Sequence, residues 1–579
     1  MDNIRIHDVL AQVADLLEFQ GANPFRIRAY RNGARTVKDL TEPVTAILAD
    51  TSRELTDIGG IGKDLAEKIA ALVETGKLPM LDELLGEIPK SVLALLRIPG
   101  LGPKKAAALY NELNITTLDQ LRAACQEGVV RNLRGFAAKT EETILAGIDL
   151  AARADDRTYW SKADEIAQAL LEHMRAVPEI VQTQMAGSYR RGRETVGDLD
   201  LLIESPADEN ADAAMDHFGR FPGVADVIAR GDTKMSVRLD TGLQIDLRVV
   251  PAESFGAALQ YFTGSKDHTV ALRGLAKRQG LKINEWGVFR VEGDRETYIA
   301  GRSEEDIYAA LALPCFEPEL REARQEFDWA AAGQLPELIE LGDIRGDLHM
   351  HTTASDGKAS LHEMVEAAKA RSLQYIAITD HSKRVSMAGG LDADRLRRQW
   401  ATIDELREQF DGIEILKGIE CDILEGGGMD LPDSVLAEAD WVVASVHYGQ
   451  RQSRAQITDR ILGALANPHV SCIAHPTGRL INRRERYEVD LDAVFQAAAK
   501  HGKLMELNAN PARLDLDDIH CAAAKRHGIS IVISTDAHRT EGLDVMRHGI
   551  LQARRAGLTK QDVANTRTWR QMQKLIGKA

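Results

Sequence analysis

The sequence predicts a multidomain protein with a helical N-terminal third, an α+β middle and a distorted parallel (β/α)7 barrel at the C-terminal end. Three observations carry this. Glycine-rich turns that open helices recur before residue 150. Strand-like runs crowd residues 199–250. From residue 343 onward, seven apolar strand candidates alternate with helical stretches, which implies parallel strands and, at that number, a closed barrel rather than an open sheet. A length of 579 residues implies about three to five domains, each able to bury its own core. An ordinary apolar fraction, 44%, excludes a largely disordered or collagen-like chain.

Composition narrows the function classes. No apolar run approaches the ~18 residues of a membrane span, and the acidic, amphipathic start MDNIRIHDVL does not read as a signal peptide. Five scattered cysteines without a CxxC pair fit a reducing cytoplasm. A formal charge of −16 argues against nucleic-acid binding unless basic residues are concentrated locally. Of 16 histidines, only His7, His173, His217 and His268 precede residue 343. Such a break suggests two kinds of chemistry on one chain.

In the N-terminal third, apolar residues at helical spacing (Val9, Leu10, Val13, Leu16, Leu17) mark short amphipathic helices. Ile58-Gly59-Gly60-Ile61-Gly62-Lys63 recurs as Ile98-Pro99-Gly100-Leu101-Gly102-Pro103-Lys104, with a weaker third copy at residues 133–139. The glycines permit a tight turn and close approach, and the following helix offers unsatisfied N–H groups to a phosphate. The element resembles the helix-hairpin-helix of DNA-repair proteins, so Gly60, Gly62, Lys63, Gly100, Gly102 and Lys104 are candidate DNA contacts. Arg28, Arg31, Arg35 and Lys38 share one helix face, and residues 26–38 carry no acidic side chain, so this face is expected to meet phosphates.

In the middle, GSYRRG (187–192) precedes GDLDLLI (197–203). Residues two apart on a strand face one side, so Asp198 and Asp200 project together while Leu199 and Leu201 enter the core. QIDLRVV adds Asp246. Three such carboxylates can hold two Mg²⁺ (or Mn²⁺) ions that activate a 3′-hydroxyl and steady a leaving pyrophosphate. Ser188 and Arg191 stand where phosphate oxygens would be held.

In the last 237 residues His349, His351, Asp356, Asp380-His381, Glu420, His447, His475, Asp536 and His538 fall almost without exception at the C-terminal ends of expected strands, the face where barrels gather catalytic groups. Mixed imidazole and carboxylate ligands suit Zn²⁺, Mn²⁺ or Fe²⁺, and their number exceeds the needs of one ion, implying two or three. His362, His501 and His527, on helices, read as structural. Arg479 and Lys383 are further candidate phosphate binders.

These strings carry a resemblance. Residues 1–316 resemble a family X DNA polymerase, the group that includes DNA polymerase beta, through AYRNGARTV, both hairpins, GSYRRG, GDLDLLI and Tyr261-Phe262-Thr263-Gly264-Ser265. Residues 343–579 resemble the PHP (polymerase and histidinol phosphatase) domain. The resemblance implies a lyase-like domain (1–80), a fingers-type helix-hairpin-helix domain (81–155), a nucleotidyltransferase palm (156–255), a thumb-type domain (256–316), a charged helical linker (317–342) and a PHP metallo-phosphoesterase barrel (343–579). It implies that Asp246 lies near the primer hydroxyl, that Ser188, Arg191, Gly197, Tyr261, Phe262, Gly264 and Arg157 contact the nucleotide, and that Arg273 contacts the template. Lys68 falls where relatives place a Schiff-base lysine, although Asp64, one turn earlier, is expected to keep its amine protonated. Thr269 replaces an asparagine that reaches the incoming base. In the barrel it groups His349, His351, Glu420 and Asp536 on one ion, Glu420, His447 and His475 on a second, and Asp356, His381 and His538 on a third.

The expected protein is a bacterial, cytoplasmic and nucleoid-associated monomer that fills short gaps in DNA repair, base excision repair among it, and acts as a 3′–5′ exonuclease. Its partners are gapped or nicked DNA, deoxynucleoside triphosphates and other repair proteins. A phosphoesterase (abasic-site endonuclease, 3′-phosphatase or small-molecule phosphatase) riding on a DNA-binding module, and a non-catalytic end-bridging protein, are the alternatives.

Overall fold

A computed structural model describes residues 3–40, 44–50, 52–88, 95, 98, 101, 103–133, 135–137, 140–141, 144–145, 157–178, 180–205 and 208–577. The chain separates into two compact units, Met1–Arg157 and Thr158–Ala579.

The first unit is helical. Helix α1 (Asn3–Phe19) lays Leu10, Val13 and Leu17 against Tyr30, Ala34 and Val37 of α2 (Pro24–Asp39). Helix α2 begins where its sequence says it should: Asn23 accepts from the Phe25 amide at 2.8 Å, and Pro24 sits in the first turn. The hairpin turn at 58–62 opens α3 (Lys63–Thr75), with Gly62 as N-cap. Gly60 has φ +96°, and a Cβ there would stand 2.8 Å from Thr36 Oγ1, so only glycine fits this crossing. In the second hairpin, Gly100 and Gly102 and the side chain of Lys104 lie outside the described residues, as do the side chain of Lys38 and Arg134, Ala138 and Lys139 of the third copy.

The second unit begins with a five-stranded sheet. Its strands are β1 (Gln182–Met185), β2 (Asp198–Glu204), β3 (Val224–Arg230), β4 (Lys234–Leu239) and β5 (Gln244–Val250), in the order β1-β2-β5-β4-β3. Strands β2 and β5 run parallel with Asp200 opposite Asp246, while Leu199, Leu201, Ile245 and Leu247 are buried beneath. Helix α4 (Phe255–Thr263) and α5 (Lys266–Arg278) lead into a three-stranded antiparallel sheet over 281–300. The expected linker is not a loose tether. Arg321 and Glu326 are buried, as charged groups can be only when packed with partners, and Leu320, Leu338 and Ile339 are buried with them.

All seven barrel strands form: β6 (Gly346–Asp347), β7 (Tyr375–Ile378), β8 (Glu414–Asp422), β9 (Trp441–Ser445), β10 (Cys472–Ile473), β11 (Leu504–Asn508) and β12 (Ile531–Ser534). They pair in parallel in sequence order, and the bridge Met350↔Ala537 joins the first to the last. Two strands are only two residues long, because the chain leaves the ladder early to present side chains. Trp569 and Met572 pack beneath Tyr375 and Leu504. Among the described residues, no helix is long and apolar enough to cross a membrane.

Candidate functional site

Two acidic constellations emerge in the second unit. In the palm-like sheet, the register sets Asp200 and Asp246 side by side and Asp198 two residues earlier on the same face. The chain before β2 makes a single helical turn, Gly187–Arg190, and Gly187 adopts φ +63°. A Cβ there would stand 2.3 Å from Asp200 Oδ2, so glycine is what lets this backbone meet the carboxylate. Ser188 follows, half-buried. Burial, with Asp198 and Asp246 nearby, pushes Asp200 up to about 7. Burial also presses Asp246 upward, but Lys234 at 2.8 Å and Gln244 at 2.8 Å outweigh it and hold Asp246 below its usual range. Mutual repulsion among three carboxylates is what a pair of divalent cations would relieve, so the donor set fits them.

Tyr261 and Phe262 meet edge to face at 5.1 Å, and the guanidinium of Arg248, on the Asp246 strand, lies 4.0 Å from the Phe262 ring. Gly264 ends α4, and Thr269 is buried with Oγ1 3.2 Å from where a Gly264 Cβ would stand. Gly197 and Arg273 are exposed, as is Arg157, which ends the first unit.

Several basic residues are employed differently than expected. Arg191 donates to the Thr263 carbonyl at 2.7 Å and pairs with Glu322 at 3.1 Å. Arg479 is committed to Glu194 at 2.8 Å and to the Leu514 carbonyl, so it is a packing group and not an open phosphate binder. Lys383 is exposed. In the first unit Arg31 pairs with Asp15 at 2.8 Å and with Glu18, while Arg28 and Lys63 remain exposed and Arg35 is half-buried. Lys68 bonds Asp64 at 2.5 Å, and although burial works against it, Asp64 and Tyr30 raise its pKa above the ordinary value. A protonated amine is not a nucleophile, so this geometry opposes the lyase expectation.

The barrel gathers all nine expected ligands at the strand ends. Three groups have ligand atoms within 4.8 Å of one another: His349, His351 and Asp536; His351, Asp356, His381 and His538; and His381, Glu420 and His447. Glu420 is the hub. Its Oε1 lies 3.0 Å from His475 and 3.4 Å from His447, and its Oε2 lies 2.7 Å from His381, 3.5 Å from His349 and 3.6 Å from His351. Buried His349 Nε2, His351 Nδ1, His381 Nδ1, His475 Nδ1 and Glu420 Oε2 nevertheless have no aligned hydrogen-bond partner. Close approach of buried donors and acceptors without hydrogen-bond geometry is what metal ligands show, and this residue set fits divalent cations.

The charges agree with the geometry. Burial alone would lower His381, but Glu420 and Asp356 raise it to about 10. Burial and the neighbouring His381 lower His351 to about 4. The carboxylates thus stabilise positive charge that the crowded imidazoles cannot all carry. His475 (φ +27°) and Asp536 (φ +54°) adopt left-handed backbone, a strain concentrated at ligand positions.

Sequence reasoning missed the layer behind the ligands. Glu506 on β11 bonds His349 Nδ1 at 2.6 Å and the His475 amide at 2.6 Å, turning His349 Nε2 toward Glu420. Asp422 lies 3.2 Å from His447 Nδ1, and Asn508 donates to Asp536 at 3.1 Å. Arg513 approaches Asp536 at 3.6 Å. The signal that could have found them is strand alternation, which puts Glu506 and Asn508 on one face of β11.

A palm whose paired strands carry three carboxylates, joined to a barrel with a histidine-rich metal site, defines a two-centre phosphoryl enzyme. Comparison with known proteins agrees. Family models match for a helix-hairpin-helix domain (1–78), a SAM-like helix-hairpin-helix tandem (92–149), the DNA polymerase beta palm (160–230), the DNA polymerase beta thumb (258–322) and the PHP domain (347–510). The chain is 41% identical over 571 residues, 98% of both chains, to the DNA polymerase/3′-5′ exonuclease PolX of Bacillus subtilis. It is 26% identical over 350 residues, 55% of this chain and 56% of the other, to DNA polymerase lambda of Rattus norvegicus. A probable phosphatase of Caldanaerobacter subterraneus is 31% identical over 203 residues, 33% of this chain and 75% of its own. The chain belongs to the bacterial family X DNA polymerases that carry a C-terminal PHP domain.

Proposed function

We propose that the chain is a DNA-directed DNA polymerase that fills short gaps in repair, base excision repair among it, and that its barrel is a metal-dependent 3′–5′ exonuclease that trims DNA ends. The observation that carries this reading is the presence of two complete, separate ligand sets on one compact unit, Asp198-Asp200-Asp246 and the cluster around Glu420. The full-length likeness to an exonuclease-bearing polymerase supports it.

Divalent cations supply charge neutralisation and activation of an attacking oxygen at each centre when bound. In the palm, Asp198, Asp200 and Asp246 would hold two Mg²⁺ or Mn²⁺ ions, with Asp246 the carboxylate for the primer hydroxyl. Lys234, paired with Asp246 at 2.8 Å, would have to release it for Asp246 to serve as a ligand. Ser188, Gly197, Tyr261, Phe262 and Gly264 line the nucleotide, and Arg191 reaches the triphosphate only by leaving Glu322. In the barrel, His349, His351 and Asp536, then His447 and His475, then Asp356, His381 and His538 hold two or three Zn²⁺, Mn²⁺ or Fe²⁺ ions around Glu420, and Glu506 orients His349. Gapped or nicked DNA is bound by Gly60, Gly62, Lys63, Gly100, Gly102, Lys104, Arg28, Arg35 and Arg273, as a monomer. The domain division given above (1–80, 81–155, 156–255, 256–316, 317–342, 343–579) is supported by the spans of the matching families.

The test is separation of function on a labelled gapped duplex with Mg²⁺ and Mn²⁺. Asp246→Ala is expected to abolish gap filling and leave 3′ trimming at the parental rate. His351→Ala or Asp536→Ala is expected to do the reverse. Either variant losing both activities equally would defeat the two-centre reading, and release of inorganic phosphate from 3′-phosphorylated ends in place of mononucleotides would make the barrel a phosphatase.

A further inference from the structure

The barrel's ligands open on a cavity of about 390 Å³ whose walls are chemically unlike. One wall is the metal-ligand cluster. Another is apolar: Val385, Met387 and Ala388, with Tyr448 at the edge shared with the next groove. Met387 is 93% exposed, the highest value among the exposed large apolar residues of the described chain. A single exposed apolar side chain is ordinary on a surface. This one differs in lining a polar cavity from a loop whose backbone is pinned. Its three-residue helical turn, Ser386–Ala388, is closed by bonds from the Val385 amide to the Ser382 carbonyl (3.0 Å) and from the Gly390 amide to the Val385 carbonyl (3.1 Å). Arg395 clamps the far side, donating to the Gly389 carbonyl at 2.9 Å and the Gly390 carbonyl at 3.0 Å. Leu391 is tied to the carbonyl of the ligand His381 at 2.7 Å. The loop's position is therefore fixed to the ligand cluster by backbone bonds.

A 3′-terminal nucleotide has the matching asymmetry. Its phosphodiester is anionic and belongs with the ligand wall, and its base presents a flat apolar face. We propose that Met387 is the base-binding residue of the exonuclease site: it packs its thioether on the 3′-terminal nucleobase of a single strand and acts as a wedge against that base remaining paired. This deepens the exonuclease reading and rests on it. Sulfur packs favourably on aromatic rings through polarisability, without hydrogen-bond readout, so all four bases are accepted. Apolar side chains including methionine separate stacked bases in this way elsewhere. Selection of frayed or unpaired ends then follows from the base site, because a paired terminus must open before its base can reach Met387, and the wedge lowers the cost of that opening.

The test crosses a protein change with a substrate change, using the full chain and Mn²⁺. The substrates are 5′-labelled single-stranded oligonucleotides identical except that one ends in a normal 3′ nucleotide and the other in an abasic tetrahydrofuran residue. The parent is expected to show a KM for the normal end roughly 2- to 12-fold below that for the abasic end. Met387→Ala is expected to raise the normal-end KM to the abasic value, with abasic-end kcat and KM unchanged, and Met387→Leu is expected to restore most of the difference. The variant should also lose more activity on a paired 3′ end than on a frayed one. Equal losses on both substrates would make Met387 merely structural and overturn the proposal, as would no change on either. A parent chain that degrades neither substrate while filling gaps normally would instead remove the exonuclease reading, and the proposal with it.

Discussion

Glu506 shows how much of a metal site lies behind its ligands. It fixes His349 through Nδ1 and His475 through the backbone amide, both at 2.6 Å. Partners of this kind orient the ring and raise its basicity, and their loss typically costs about 10- to 100-fold in metal affinity or activity. Glu506→Gln is accordingly expected to weaken metal retention by about that factor and to slow 3′ trimming, with gap filling unchanged. Metal content after dialysis against a graded chelator measures it, and parental retention would show that His349 needs no such support. The candidate ligands were legible in the sequence because histidines and carboxylates recurring at the ends of successive expected strands converge on one barrel mouth, where cations would offset so many lone pairs. Glu506 was not, since inside KLMELNAN it looks like any strand residue until the barrel closes and buries it.

At the level of elements, helix α2 separates a correct pattern from an incorrect use. The helix forms as the spacing predicted, but Arg31 is spent on Asp15 and Glu18 of α1, 16 and 13 residues earlier. Spacing within one helix cannot reveal a partner on another. Arg28 is exposed and leans on the Phe25 ring at 5.2 Å. Binding to duplex should therefore lose about 0.9 from the log–log salt slope when Arg28 is replaced by Ala. Arg31→Ala should alter the slope less and lower thermal stability instead. A titration of affinity against salt reads both, and an unchanged slope for Arg28→Ala would remove that residue from the interface. The barrel fared better because strand–helix alternation is a local signal repeated seven times, so each repeat supports the others. The first and fifth strands came out shorter than their apolar runs, because the backbone leaves the ladder to present His349, His351 and His475.

Over the whole of residues 158–579, palm, thumb and barrel form one compact unit, and a buried ion network crosses it. Arg555, 1% exposed and on a barrel helix (Met546–Arg555), pairs with Glu322 at 2.9 Å and Asp518 at 2.8 Å and donates to the Arg191 carbonyl at 2.8 Å. Glu322 also holds Arg191, and Asp518 also holds Arg324 at 3.1 Å. The same boundary carries Arg479–Glu194 and Arg547–Asp164, the first joining groups 285 residues apart. None of this was visible in the sequence, where Arg191 and Arg479 read as phosphate binders and Arg324, Arg547 and Arg555 belong to no motif. Removing one partner from a buried charge pair costs about 3–5 kcal/mol, because the other is left unpaired. Arg555→Met takes one cation from both Glu322 and Asp518, which keep Arg191 and Arg324, and should lower stability by up to that order. Calorimetry of the full chain is expected to resolve two transitions in the variant where the parent's second unit melts in one, since the palm–thumb half and the barrel would no longer share their charges. Glu322, freed from Arg555, would then bind Arg191 more tightly, so the KM for deoxynucleoside triphosphate should rise while 3′ trimming of single strands stays near parental. A single unshifted transition with an unchanged KM would mean that the network is dispensable and that the two halves are joined by apolar packing alone.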